Sequence, residues 1–199
     1  ALCRQTSSPR RAGLTFKEMT MYQRMSAVAL LLVLNAGCAT TDALEVEVSV
    51  PDAIKPGPHE SLAFVTPANG VQIYECRASK NRPGAYEWTF IAPDAELFDR
   101  KGNKVGRHYA GPYWELADGS KVVARVKARA DAPRADAIPW LLLSARSVGP
   151  EGSLSKVSSI QRMSTQGGLA PKNGCSQATA GKSARVHYTA NYYFFNNGK

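Results

Sequence analysis

The sequence predicts one all-β domain, folded as an antiparallel β-sandwich or, as the alternative, a closed β-barrel. Three observations indicate this fold class. Apolar and polar residues alternate over many short segments, turn-forming residues separate these segments, and outside an N-terminal apolar run no window of helical length keeps a 3.6-residue period. Eight or more short strands at this spacing are typical of both architectures, and we favour the sandwich.

The N-terminal residues predict export. We expect residues 1–18, which lack apolar periodicity, to be a disordered upstream extension. Residues 19–38 have a basic start, an apolar centre and small residues at the end, which is typical of a secretory signal. The apolar centre, residues 27–34, is shorter than the ~20 residues of a membrane-spanning helix. We therefore read the segment as a signal and not as a transmembrane anchor.

Cys38 ends this signal at the position of the acylated cysteine in bacterial lipoproteins. That motif has an aliphatic residue three places before the cysteine, whereas this chain has Asn35 there and Leu34 one place earlier. We expect acylation of Cys38 and hence an outer-membrane or periplasmic lipoprotein. Cleavage near Ala39, which gives a soluble secreted protein, is the alternative.

The charge of the exported part excludes some partners. Residues 1–38 hold five of the 25 basic residues and one of the 16 acidic residues, so removing them leaves a net charge of +5. The remaining basic residues are scattered and do not form a stripe with stacking aromatic side chains, which argues against nucleic-acid binding. The histidines are widely spaced and no paired C-x-x-C occurs, so a metal-binding protein is the weakest alternative, and we expect no cofactor.

Two cysteines, Cys76 and Cys175, remain in the exported part. An oxidising compartment favours one disulfide between them. Such a bridge closes a loop of about 100 residues, for which the chain-entropy model gives up to ~4.7 kcal/mol. Two separately buried thiols are the alternative.

The exported part divides into two regions. Residues 39–58 predict a strand ending at Val50 and a proline-rich linker, and residues 59–199 predict the all-β domain. The pair Asn69-Gly70, which lies between two apolar runs, predicts a β-hairpin turn.

Two strands are predicted in more detail. Residues 138–145 are almost continuously apolar, which indicates a strand buried on both faces. The last strand alternates most clearly, and its apolar residues on one face are Val186, Tyr188, Ala190, Tyr192 and Phe194.

Six phrases in these segments resemble one known family. They are GVQIYEC at 70–76, YEWTF at 86–90, HYAGPYWELADGS at 108–120, IPWLLL at 138–143, IQRMSTQGGLAP at 160–171 and YTANYYFF at 188–195. In this order, with Cys175 between the last two, they are similar to the bacterial and fungal family called domain of unknown function 3455. The resemblance spans roughly residues 50–196 and implies an exported, mostly β protein without an assigned reaction. Met163 stands where the resemblance leads us to expect a valine.

His108 is the candidate catalytic residue, because the carboxylates of Glu115 and Asp118 follow it closely. A histidine oriented by a carboxylate can act as a general base. Positions seven apart on one strand face opposite sides, so the pairing of His108 with Glu115 depends on a chain reversal at Gly111-Pro112. No nucleophile motif such as G-x-S-x-G is present. A hydrogen-bonded structural histidine is the alternative.

Aromatic side chains near strand ends suggest a ligand site. Tyr109, Tyr113 and Trp114 are the candidates, because rings gathered at one end of a β domain can line a groove for a sugar or an apolar molecule. Core packing is the alternative for all of them.

We therefore expect an exported envelope protein that acts as a non-catalytic binding or structural module. Its partner is expected to be a small molecule or an envelope component, and acylated Cys38 is expected to attach it to a membrane. The rival hypothesis is a small hydrolase-like enzyme that uses His108 with Glu115 or Asp118.

Overall fold

The computed structural model describes residues 49–198, which contain eight β-strands and no α-helix. The strands are β1 (Glu60–Ala78), β2 (Tyr86–Phe98), β3 (Lys104–Tyr109), β4 (Tyr113–Leu116), β5 (Lys121–Ala130), β6 (Trp140–Ser147), β7 (Val157–Gly167) and β8 (Ser183–Asn197). Two 3-10 turns, Asp52–Ile54 and Gln177–Thr179, precede β1 and β8.

All eight strands belong to one antiparallel sheet, which confirms the predicted all-β class. Each strand pairs with the next one along the chain, and β1 pairs with both β2 and β8. The sheet is therefore closed, which is the connectivity of the barrel alternative and not of two separate sheets. β1 is 19 residues long, and its two pairings are offset along it. It pairs with β8 over residues 60–75 on one edge and with β2 over residues 68–78 on the other, which closes the sheet.

The hairpin predicted at Asn69-Gly70 is wrong, because both residues lie inside the continuous strand β1. Gly70 pairs with Ala95 of β2, and a Cβ built at Gly70 lies 2.4 Å from the Cα of Ala95 and 2.3 Å from the carbonyl oxygen of Asp94. The glycine is required for this close approach of two backbones and not for a turn. Asn69 is exposed, and its Oδ1 accepts a 2.7 Å hydrogen bond from Nε2 of His187 on β8.

The interior of the sheet forms the main core. As the alternation of β8 predicts, Tyr188, Ala190, Tyr192 and Phe194 are buried on one face, while His187 is exposed on the other. These side chains pack against buried residues from the other strands, including Trp114 of β4. Burying each large side chain contributes about 1.5–3 kcal/mol.

A second apolar cluster lies on the outside of the sheet. It consists of Ile54, Trp140, Leu142 and Met163, and we call it the outer cluster. Nε2 of Gln161 donates a 2.8 Å hydrogen bond to the carbonyl oxygen of Ile54, which fixes the segment before β1 against β7. This cover explains why β6 is buried on both faces, as its sequence predicts.

The predicted disulfide is confirmed. Cys76 at the end of β1 is bonded to Cys175, which lies in the loop before β8, with a Cα–Cα distance of 5.3 Å. Backbone hydrogen bonds on both sides of Cys76, to Lys182 and from Gly181, bind the same loop to β1. The bridge therefore holds a long connection that has little regular structure of its own. The predicted signal and Cys38 lie outside the described residues.

Candidate ligand-binding site

The short hairpin β3–β4 leaves a gap in the wall of the barrel. β2 pairs with β3 only over Ala95–Phe98, and β5 pairs with β4 only over Lys121–Val123. In the described part of the chain, the rest of β2 pairs with β1 alone. The backbone N–H of Ala124 still donates to the carbonyl oxygen of Pro112, and beyond it β5 pairs with β6 alone. Beyond the tip of the hairpin, two strand edges therefore face each other without hydrogen-bonding partners across the gap.

A cavity of about 110 Å³ opens through this gap into the barrel. Its mouth is formed by Phe90 and Pro93 of β2, Pro112 of the hairpin tip and Val126 of β5. Phe90 and Val126 are half exposed, at 50% and 55%, although both are large apolar residues. The mouth is therefore an apolar rim that remains in contact with water.

Five side chains with polar groups reach the inner end of the cavity. They are Gln72 of β1, His108 of β3, Trp114 of β4, Arg162 of β7 and Tyr192 of β8. The alternation of each strand turns these side chains inward, because the neighbouring residue in each strand lies on the outer face. Four of the five are almost fully buried, and Arg162 is half-buried.

His108 is held by its neighbours in a neutral form. Its ring stacks on that of Trp114 with centroids 3.8 Å apart, and its Nδ1 lies 2.9 Å from the carbonyl oxygen of Tyr113. A carbonyl oxygen only accepts, so Nδ1 carries the proton and Nε2 carries the lone pair. Burial lowers the pKa of His108 from 6.5 to about 3, and the positive charge of Arg162 acts in the same direction.

Arg162 brings the only charged group into this cavity among its lining residues. Its guanidinium donates from Nε and Nη2 to the carbonyl oxygen of Pro139, at 3.3 and 2.8 Å. No carboxylate in residues 49–198 forms a salt bridge with it. Burial raises the pKa of Tyr192, and the nearby Arg162 partly offsets this. Arg162 is thus a partly buried cation without an anionic partner in the described structure.

Two further N–H groups at the cavity have no acceptor. Within the described residues, Nε2 of Gln72 and Nε1 of Trp114 are buried without a hydrogen-bond partner. The Gln72 side chain lies near the hydroxyl of Tyr188, whose pKa is raised by burial, but its geometry makes no hydrogen bond there. Leaving a buried donor unpaired costs about 1–3 kcal/mol. The inner end of the cavity therefore has an excess of donors over acceptors.

The predicted pair of His108 and Glu115 is not brought together. The chain does reverse at the hairpin tip, but the register pairs His108 with Trp114 and Arg107 with Glu115. Directly paired residues share a face, so His108 points into the barrel and Glu115 points out. Glu115 accepts hydrogen bonds from Tyr109 and from Arg107, at 2.5 and 3.1 Å, and these hold its pKa below the usual range.

Asp118 also lies away from His108, in the turn between β4 and β5. One oxygen accepts from the backbone N–H and the hydroxyl of Ser120, at 2.9 and 2.6 Å, and the other accepts from the backbone N–H of Ser153 at 2.8 Å. These hydrogen bonds, led by the Ser120 hydroxyl, lower the pKa of Asp118. The carboxylate joins two turns and has no contact with the cavity.

The three predicted ligand-binding residues are divided between two faces. Trp114 lines the cavity, whereas Tyr109 and Tyr113 lie partly exposed on the outer face, with ring centroids 5.6 Å apart. The guanidinium of Arg107 lies 4.6 Å from the centroid of Tyr109, and Lys121 lies 5.7 Å from that of Tyr113. The outer tyrosines thus belong to a surface cluster with charged neighbours and not to the cavity.

Sequence reasoning missed Gln72 and Arg162. Gln72 lies inside the phrase GVQIYEC, between Val71 and Ile73, and Arg162 follows Ile160 by two places. In a strand, residues two apart share a face, so Arg162 lies on the same face of β7 as the buried Ile160. A charged residue on a buried strand face is the signal that would have identified this site.

A larger depression of about 650 Å³ lies at the turn between β2 and β3. Its main polar group is Asp99, which already accepts hydrogen bonds from the backbone of Lys101 and from the backbone and side chain of Asn103. Asp99 thereby stabilises the turn, whereas Arg100, Lys101 and the buried Oγ1 of Thr66, which is unpaired within residues 49–198, also line the depression. The smaller cavity is the better candidate site, because its polar side chains come from five strands and are buried or half-buried, whereas Arg100 and Lys101 of the depression are exposed.

Within residues 49–198, no group of three histidine, cysteine, aspartate or glutamate residues is placed to hold a metal ion. No helix in the same range is long and apolar enough to cross a membrane.

Comparison with protein families gives a match over residues 56–196, to the model described as protein of unknown function, DUF3455. The chain belongs to this family. The matched region of DUF3455 includes strands β1 to β7, β8 except its last residue, both bridged cysteines and every residue of the cavity.

The DUF3455 chain also has a short similarity to a curated protein, the prion-like protein doppel of Mus musculus. The two are 42% identical over 55 residues, which are 28% of this chain and 28% of the mouse protein. Because the match spans little more than a quarter of either chain, it carries no argument about the whole protein. No solved structure matches the DUF3455 chain.

Proposed function

We propose that this DUF3455 protein is a non-catalytic binding module that takes a small molecule into the cavity between β2 and β5. One observation carries the proposal: a cavity that opens to water through an apolar rim has unpaired donors at its inner end. Pockets with mostly apolar walls and a few convergent polar groups are typical ligand sites. A ligand with an acceptor atom offsets the cost of the unpaired donors. If the cavity served only for core packing, these donors would lower the stability of the fold without any compensation.

The environment of His108 supports binding over catalysis. A general base needs a pKa near the working pH, and burial lowers the pKa of this imidazole to about 3. Its Nδ1 is oriented by a backbone carbonyl and not by a carboxylate. Glu115 and Asp118 are occupied on the outer face and in a turn.

Export and membrane attachment are part of the same proposal. A disulfide in a small domain is compatible with an exported protein. We place the domain in the cell envelope, attached through acylated Cys38, with the ligand or an envelope component as its partner. Palmitate labelling of the full chain should be lost in a Cys38→Ala variant, and labelling that persists in this variant overturns the anchor.

The indole N–H signals of the tryptophans test the binding proposal. Trp114 lines the cavity, Trp140 lies in the outer cluster, and Trp88 donates to the carbonyl oxygen of Asn173, so three NMR signals report on three places. We expect hexanoate or hexan-1-ol at millimolar concentration to shift the Trp114 signal and to leave that of Trp140 in place. No shift with either probe, or equal shifts at both tryptophans, overturns the proposal.

A hydrolytic assay separates binding from catalysis. We expect no turnover of nitrophenyl esters above the rate given by a His108→Ala variant. Turnover by the native protein that this variant abolishes contradicts the non-catalytic proposal and favours the hydrolase hypothesis.

A further inference from the structure

The charge of the cavity points to an anionic ligand. Arg162 contributes a positive charge, while His108 is neutral and no acidic residue is among the lining residues. Burying a cation without an anion is costly, and an anion that enters with the ligand offsets that cost. Water can supply part of this compensation in the open part of the cavity, but it provides no negative charge.

The donors are placed on different strands around one small space. Arg162 uses two of its five N–H groups on Pro139 and also lies beside the Tyr192 hydroxyl, which leaves two or three for a ligand. Gln72 on β1 and Trp114 on β4 add two N–H groups that have no other acceptor in residues 49–198. A carboxylate has two oxygens with about four lone-pair sites, and it matches the planar fork of a guanidinium. Its chemistry fits a cavity that supplies donors from three sides.

The size of the cavity limits the ligand to a small head group. About 110 Å³ is less than the ~150 Å³ of an engineered cavity that binds benzene. A carboxylate with one or two carbons fills it, and the rest of the ligand must then pass through the mouth. There it meets the exposed rings and methyl groups of Phe90 and Val126, which favour an apolar tail.

We propose that the ligand is a monocarboxylate with an apolar tail, whose head binds Arg162, Gln72 and Trp114 and whose tail lies between Phe90 and Val126. This inference rests on the proposed binding function, because it names the ligand class of the same cavity. It assigns Arg162 as the residue that selects an anion over a neutral molecule of equal shape.

Titration of the full chain with matched probes tests the ligand class. Hexanoate and hexan-1-ol have the same apolar tail, and inorganic phosphate has the charge without the tail. At pH 7, we expect hexanoate to shift the Trp114 indole signal with a dissociation constant at least tenfold lower than that of either control. Equal affinity for hexanoate and hexan-1-ol overturns the carboxylate and leaves the binding function intact. Equal affinity for hexanoate and phosphate contradicts the proposed apolar tail. No shift with any probe contradicts both the binding function and the proposed ligand class.

Two variants locate the head group. Arg162→Met should remove the preference for hexanoate over hexan-1-ol. Because Arg162 also binds the carbonyl of Pro139, this variant can lose stability. Gln72→Met is the second variant: it removes an unpaired buried donor, so we expect a fold at least as stable and a several-fold weaker affinity for hexanoate alone. Unchanged hexanoate affinity in a folded Gln72→Met or Arg162→Met protein contradicts the assignment.

A matched pair of surface variants locates the tail. Phe90→Ser removes an exposed apolar side chain at the mouth, and Val148→Ser removes one at 38% exposure that does not line this cavity. We expect the first change to weaken hexanoate binding several-fold and the second to leave it unchanged. Equal affinities in the two variants contradict the position of the tail.

Discussion

Mild acid should destabilise the fold through His108 before it titrates the paired carboxylates. In the folded protein the pKa of this buried imidazole is lowered from 6.5 to about 3. Between these values the unfolded chain binds a proton that the folded protein excludes, so stability is complete above pH 6.5 and falls as the pH falls. Each pH unit in this window costs about 1.4 kcal/mol. The loss is about 3 kcal/mol at pH 4 and about 4 kcal/mol near pH 3, where it begins to level off because the folded protein also begins to bind the proton.

Urea unfolding at pH 7 and pH 4, with the disulfide intact and tryptophan fluorescence as the signal, measures this loss. His108→Phe removes the titrating group and keeps a flat ring against Trp114, although it gives up the hydrogen bond to Tyr113. The variant should be less stable at pH 7. The difference in unfolding free energy between the native protein and this variant should shrink by about 3 kcal/mol at pH 4.

Comparison of the two proteins removes the contribution of the carboxylates, which both proteins share. His187→Gln is the matched control, because His187 is exposed on the outer face of β8, and its profile should follow that of the native protein. A native-to-His108→Phe difference that stays constant from pH 7 to pH 4 refutes the reasoning. It means that the folded protein accepts the proton at His108 without cost.

Three other changes have expected effects on stability. Gly70→Ala should lower the free energy of unfolding in urea by more than about 3 kcal/mol, because its Cβ lies 2.3 Å from a backbone oxygen. The control Gly57→Ala, whose Cβ has its nearest contact at 3.4 Å, should change it by less than about 1 kcal/mol. Equal losses in the two variants contradict the close approach at Gly70. Replacing Cys76 and Cys175 together by serine should lower the free energy of unfolding by about 2–5 kcal/mol and change the mobility on non-reducing gels. A double variant as stable as the native protein contradicts a stabilising role of the disulfide. Asp118→Asn should lower the free energy of unfolding by about 1–2 kcal/mol, because the new amide group is a donor where a carboxylate oxygen accepted a hydrogen bond. An unchanged urea midpoint contradicts the role of Asp118 in joining the two turns.

The mistaken hairpin shows the limit of local sequence signals. Asn-Gly between two apolar runs is a strong turn signal, but Gly70 is required because β2 approaches its backbone closely. Pro67, which also suggested a turn, lies where β1 pairs with β8 just before the pairing with β2 begins. A proline is tolerated at such a position, because no partner on the β2 side is lost. Neither fact can be read from neighbouring residues alone.

The candidate site depends on distant residues in the same way. The phrase from His108 to Ser120 concentrates polar and aromatic residues, which drew attention to His108, Glu115 and Asp118. The hairpin register then separates His108 from Glu115, and a turn engages Asp118. Arg162 comes from a strand more than 50 positions away in the sequence. No local pattern indicates that its side chain and the ring of His108 line the same cavity.

By itself, the sequence determined the all-β class, the disulfide, the inward face of β8 and the family, because alternation, cysteine number and separated motifs are properties of the chain. The tertiary structure alone decided that one sheet closes between β1 and β8, and that a short hairpin leaves a gap into the barrel. The physical reason is that strand pairing sets the register between distant segments. Register then decides which polar side chains are enclosed together and which of them remain without a partner.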